Sequence, residues 1–180
     1  MFRDPDMSNK LTPSDIFREA APAAVADIFS FLHENEKPLY KATIESLAQQ
    51  RKLRAVFVER KPREERHAWL REALGKKSGD AIAAHLLQIW LVKRHAPLLC
   101  DFLDGLGIKH DETGTIESLP AQPTKETLEK VIDGLLQKHD PELIAIYLHA
   151  FQALDDTGWT NLDEILQGDG RLRLGKTAAA

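Results

Sequence analysis

Asp80-Ala81-Ile82-Ala83-Ala84-His85-Leu86-Leu87-Gln88-Ile89-Trp90-Leu91-Val92-Lys93-Arg94 is the stretch whose reading decides the fold. It runs without Pro or Gly for far longer than an ordinary strand. Its apolar positions, Ile82, Ala83, Leu86, Leu87, Ile89, Trp90, Leu91 and Val92, wrap most of a helical circumference. A helix apolar nearly all round is a buried one, so a central helix is expected over 80–94. Lys93, Arg94 and His95 then stand at its negative, C-terminal end. Asp80, His85 and Gln88 interrupt it, so it falls well short of the ~20 apolar residues a membrane span needs.

The same periodicity continues on both sides. Toward the N-terminus, Thr12-Pro13-Ser14-Asp15 is a helix start, with a capping hydroxyl, a Pro for the first turn and an early carboxylate. Pro22 restarts the helix, and Val25, Ile28, Phe29 and Leu32 give one apolar face over 23–34. Further helices are expected over about 38–50 and 62–75. Leu53-Arg54-Ala55-Val56-Phe57-Val58 fits a strand as well as a short helix; a lone strand has nothing to pair with, so helix is preferred. Toward the C-terminus, Pro97 opens a helix closed by Gly107. Residues 108–123 read as a linker. Thr124, Asp140 and Thr160 announce helices over about 125–138, 141–154 and to Gly168.

Shifting the chain by 44 residues lays His95, Pro97, Leu99, Asp111, Thr113 and Gly114 on His139, Pro141, Leu143, Asp155, Thr157 and Gly158. The unit is helix, Pro break, helix, then an Asp-x-Thr-Gly turn, a length typical of helical-hairpin arrays. The expected fold is therefore all-α: an irregular bundle or short stack of helical hairpins, with 95–114 matching 139–158. Its expected parts are a disordered lead (1–11) and one helical domain (12–168). That domain comprises N-terminal helices with a basic segment (12–77), a first hairpin (78–123) and a second (124–168). A frayed tail, 169–180, follows. A third, decayed copy over 38–75 is an open question. The unit resembles helical-hairpin repeats in size alone; the Trp-Leu-Gly-Tyr pattern of tetratricopeptide units and the Thr-Pro-Leu-His of ankyrin units are absent, so no family follows from it.

The chain has 180 residues and a formal net charge of −4. It is long enough to bury a core without disulfide or metal staples. Its one cysteine, Cys100, cannot form an internal disulfide, and the first residues lack an apolar signal segment, so a cytoplasmic protein is expected. Charge is unevenly spread. Arg51, Lys52, Arg54, Arg60, Lys61, Arg63, Arg66, Arg71, Lys76 and Lys77 make 51–77 basic, whereas 101–170 is strongly acidic.

Four motifs tempt and fail on context. Gly170 to Thr177 spells a phosphate loop, which needs a strand before it and a helix after it. Asp156-Thr157-Gly158 spells the aspartic-protease triplet, which belongs to a β-rich site with paired carboxylates. Here Asp111 and Asp155 are expected to bond local backbone, with Gly114 and Gly158 at positive φ. The same loops put Lys109 and Ala153 at the first position of a calcium loop, so they offer no such site. The seven histidines lack ligand spacings, and His95 and His139 read as helix-end residues bonding free carbonyls.

No cofactor or metal is implied, and no catalytic constellation is visible. The leading expectation is a non-enzymatic protein-interaction or scaffold module, its partner an acidic surface or a second copy. Its candidate surface is Arg60, Lys61, Arg63, Arg66, His67 and Arg71: on a helix Arg63, His67 and Arg71 line one face at four-residue intervals. The same basic helix, 60–71, could instead contact nucleic-acid phosphates. A third expectation is a ligand pocket or enzyme between hairpins, converging on His85, Cys100 and His149.

Overall fold

The computed structural model describes residues 10–175. These form ten α-helices: α1 (Pro13–Glu19), α2 (Pro22–Asn35), α3 (Lys37–Gln50), α4 (Ala55–Glu59), α5 (Arg63–Leu74), α6 (Asp80–Arg94), α7 (Ala96–Gly105), α8 (Lys125–Lys138), α9 (Pro141–Leu154) and α10 (Thr160–Gly168). Short 3-10 turns occupy Lys77–Gly79 and Gly170–Leu172. There is no strand among the described residues, and the ambiguous 53–58 segment is largely helix α4. None of the described helices is long and apolar enough to cross a membrane.

Several boundaries follow from local chemistry. The Thr12 hydroxyl accepts from the Asp15 amide while the Asp15 carboxylate accepts from the Thr12 amide, a reciprocal cap. Thr124 and Asp140 cap α8 and α9 by accepting from Thr127 N–H and Leu143 N–H. Gly107 ends α7 at φ +70°, with Gly107 N–H on Asp104 C=O and Ile108 N–H on Leu103 C=O. The end of α3 has the same geometry, Lys52 N–H to Gln49 C=O and Leu53 N–H to Ala48 C=O, but places Lys52 at φ +56°.

Helix α6 is central in its contacts, but the more completely buried helix is α9. Ile144 through Leu148, then Ala150, Phe151 and Gln152, are all buried. Helix α6 buries Ala83, Leu86, Leu87, Trp90 and Leu91 and leaves Ala81, His85 and Gln88 exposed along one line. Both sequences are apolar around most of the helix. What separates them is which sides are covered: α9 packs against α1, α6, α8, α10 and the Gly170–Leu172 turn, whereas α6 packs against α1, α2, α5, α7, α9 and the Lys77–Gly79 turn and still keeps one stripe in solvent.

Helix α1 is wedged among α5, α6 and α9. Ser14 donates its amide to Asp80 Oδ1 and its hydroxyl to Lys76 C=O, and Arg18 donates to Gly75 C=O. The Trp90 indole N–H and the Arg94 guanidinium both donate to Asp27, tying α6 to α2. At the start of α9, the Glu142 carboxylate accepts from Ala21 N–H at 2.7 Å and from Gly175 N–H at 3.1 and 3.2 Å.

Both expected chain ends are partly ordered. Leu11 packs on the core and Lys10 pairs with Asp163. Residues 169–175, expected to fray, instead build a turn with Leu172 fully buried. Residues 1–9 of the expected lead and 176–180 of the expected tail lie outside the described residues, as do Lys176 and Thr177 of the phosphate-loop spelling. The residues before that spelling are helix α10, not a strand.

The two stretches related by 44 residues are built differently. Helix α7 ends at Gly105, six positions before Asp111, whereas α9 runs to Leu154, beside Asp155. Gly114 and Gly158 both take positive φ, +79° and +64°.

Candidate functional site

The basic segment begins at the turn after α3 and runs through α4 and α5. On α5 the expected stripe faces α1, α2 and α3 as much as solvent. Arg63 donates to the Ser30 hydroxyl. Arg66 donates to the Tyr40 hydroxyl at 2.6 Å and to Lys61 C=O, with its guanidinium 5.8 Å from the Tyr40 ring centroid. Arg71 donates to Arg18 C=O and Ala20 C=O. His67 sets its ring 5.2 Å from that of Phe29, and its buried Nε2 has no hydrogen-bond partner among the described residues. Burial first, then the charges of Arg66, Arg63 and His33, hold its pKa down at about 4, so it is neutral at physiological pH. Four of the six expected contact residues thus spend their polar or ring surface on the fold.

Arg63 is still exposed, as are Lys76 and Lys77 after α5; the exposed cations around α4 are Lys52, Arg54 and Arg60, with Lys61 half-buried. They surround Leu53, Val56 and Phe57, which are 45, 36 and 61 % exposed and are the large apolar side chains left exposed among the described residues. Only Val58 of α4 is buried. Sequence reasoning weighed this run as helix or strand and missed its exposure. The signal was available, because three successive helix positions span too wide an arc for a five-residue helix to bury them all against one neighbour.

His85, Cys100 and His149 lie apart. His85 is on the solvent stripe of α6. The Cys100 thiol faces the loop after α7 and donates weakly to Glu112 C=O at 3.6 Å. Burial, followed by Asp104, Asp101 and Asp111, raises its pKa, the opposite of what an activated thiolate needs. His149 is on α9 against the backbone of Leu172, and burial lowers its pKa to about 4. None of the five cavities described for the molecule is lined by any of the three. Among the described residues there is also no group of three or more His, Cys, Asp or Glu placed to hold a metal ion.

The helix-end histidines differ from expectation. His95 packs edge-on to Trp90 at 4.6 Å and its buried Nε2 has no hydrogen-bond partner among the described residues, while His139 Nε2 meets Asp101 Oδ2 at 2.8 Å. Among the hydrogen bonds described, neither ring serves a helix carbonyl.

Concave surface gathers instead around the loop between α7 and α8. An open hollow of about 710 Å³ is lined from Leu106 to Pro123, with His110 fixed between Asp104 Oδ1 and Asp111 C=O. Behind it, between α6, α7 and α9, is a smaller cleft of about 190 Å³ that both Gly114 and Asp155 line. No family model, no curated protein and no solved structure matches this chain.

Proposed function

We propose that the chain is a helical protein-interaction module whose docking edge is α4 and the turn before it. The reading rests on one observation: the large apolar side chains left exposed, Leu53, Val56 and Phe57, stand together inside the most basic part of the sequence. An apolar centre rimmed by charge is the anatomy of a binding patch, and a large exposed aromatic is the kind of side chain that dominates binding energy. The rim of Lys52, Arg54 and Arg60 selects an acidic, amphipathic segment of a partner protein, in a cytoplasmic setting.

Nucleic acid is the second reading. What favours it is the same rim of cations; what disfavours it is that Arg63, Arg66 and Arg71 are bonded within the fold. Affinity capture from native lysate, with wild-type and Phe57→Asp baits and with nuclease and salt arms, separates the two. Capture of a protein that survives nuclease and is lost with Phe57→Asp supports the module. Capture abolished by nuclease and indifferent to Phe57→Asp moves the assignment to nucleic acid.

A further inference from the structure

The α4 edge and the hollow of the α7–α8 loop are opposite in form and in charge. At the edge, Phe57 is 61 % exposed, the most exposed of its three apolar side chains, and the rim of Lys52, Arg54 and Arg60 is basic. The hollow, about 710 Å³, is several times the size of a cavity that takes up benzene, so an aromatic ring fits into it. Ile108, Ile116, Pro120 and Ala121 give it apolar lining. Over 104–117 the chain carries Asp104, Asp111, Glu112 and Glu117 against Lys109 and His110, and His110 is already engaged by Asp104.

The hollow is shaped before anything enters it. On one side, the Asp111 carboxylate accepts from Thr113 N–H, Thr115 N–H and the Thr113 hydroxyl. On the other, Gln122 Oε1 accepts from Asn161 N–H at 2.7 Å and Pro123 C=O accepts from the Asn161 side chain at 2.9 Å, which pins the loop to the start of α10. A loop ordered in advance has less freedom to lose on association. Residues 106–123 are thus an acidic, amphipathic segment already held open, the kind of partner that the α4 edge selects. An edge cannot cover another edge, because two basic rims repel. Nor does an edge fill the hollow of its own chain: α4 packs on α3 and α5, and Phe57 stays in solvent.

We propose that the occupant of the α4 edge is a second copy of this chain, with Phe57 of one copy seated in the α7–α8 hollow of the next and the basic rim facing the acidic loop. The inference rests on the reading of α4 as a docking edge. The contact joins two different faces, so each added copy still offers one free edge and one free hollow, and assembly runs head to tail until a ring closes or a filament grows.

Sedimentation velocity of the purified chain, at concentrations up to about 1 mM, tests the proposal. The mass is expected to rise with concentration beyond that of a dimer and to fall as salt is added. Phe57→Asp and Ala121→Arg change exposed positions, one on the edge and one in the hollow; each is expected to keep a native circular dichroism spectrum and to stay monomeric. An equimolar mixture of the two, which retains one intact edge and one intact hollow, is expected to form a dimer and nothing larger. A wild type that is monomeric throughout, either variant still associating alone, or a mixture that stays monomeric would overturn it. A monomeric wild type whose capture of a lysate protein is still lost with Phe57→Asp removes the second copy and keeps the docking edge; indifference to Phe57→Asp in both experiments removes both.

Discussion

Asp111-Glu112-Thr113-Gly114 and Asp155-Asp156-Thr157-Gly158 are spelled almost alike and lie on the same cleft, yet they do opposite things with their first carboxylate. Asp111 is saturated: hydrogen bonds from Thr113 and Thr115 hold its pKa below the ordinary carboxylate value of 3.8. Asp155 closes α9, receives no such bonds, and has its pKa raised by burial. In the second turn Thr157 turns away from the aspartate. Its hydroxyl donates to the Gln152 side chain and accepts from Trp159 N–H. The difference originates one helix earlier. Helix α7 stops short, leaving enough free chain for Asp111 to curl over its own backbone, whereas α9 delivers Asp155 while still helical. A local motif thus fixes which residues can form a turn; the length of the preceding element fixes whether they do.

The sharpest way to break this comparison is at the two glycines. A Cβ on Gly114 would lie 2.4 Å from Leu99 Cβ on a backbone already at φ +79°. Gly114→Ala should cost about 2–4 kcal/mol, overpacking and left-handed strain together. Gly158 has positive φ but open space, so Gly158→Ala should cost about 1 kcal/mol from strain alone. Urea denaturation of both variants checks the ordering, and equal losses would mean that the two turns are packed alike.

The aspartates should separate by sign as well. Asp111, with a lowered folded pKa, contributes stability that is present above pH 3.8 and fades as pH falls through its folded value. Asp111→Asn should therefore be destabilised at neutral pH and converge on wild type in acid. Asp155, with a raised folded pKa, favours folding when protonated and loses that contribution as pH rises. Asp155→Asn should be at least as stable as wild type at neutral pH, with the difference vanishing in acid. Thermal unfolding from pH 3 to 7 reads both; the same slope for the two variants would contradict the assignment. The smallest expected effect is at Asp156, whose φ is +45°. Asp156→Gly should gain about 0.5 kcal/mol by relieving a left-handed conformation, where Glu112→Gly in the first turn has no such strain to relieve.

Helix positions were legible because their ends carry local signals. Thr12, Thr124 and Asp140 cap with their own side chains, and Pro13, Pro22 and Pro141 sit where a missing N–H costs nothing. That α9 is more completely buried than α6 was not legible, because periodicity describes a helix's own face and says nothing of which of its sides the neighbours cover. The candidate basic surface was half legible: the charges were in plain view, but the hydroxyl and carbonyl partners of Arg66 and Arg71 come from α1, α3 and the chain before α5. The cleft was invisible to spacing. Tyr147 and Asp155 read as one core residue and one turn residue until α6, α7 and the loop close around them.

The Glu142 carboxylate gathers amides 121 residues earlier and 33 residues later. For a chain emerging from a ribosome, that geometry imposes a timetable. Helix α1 emerges before all the helices it packs on; α5 and α6 follow soon after, whereas α9 arrives only when most of these residues have been synthesised. Until then α1 has α5 and α6 to pack on, and the Phe17 ring has that of Phe29 on α2, but its contacts to α9 are missing. The N-terminal helices, α1 among them, can assemble on schedule, while the bonds that fasten Ala21 and Gly175 to Glu142 must wait for α9 and the turn after α10.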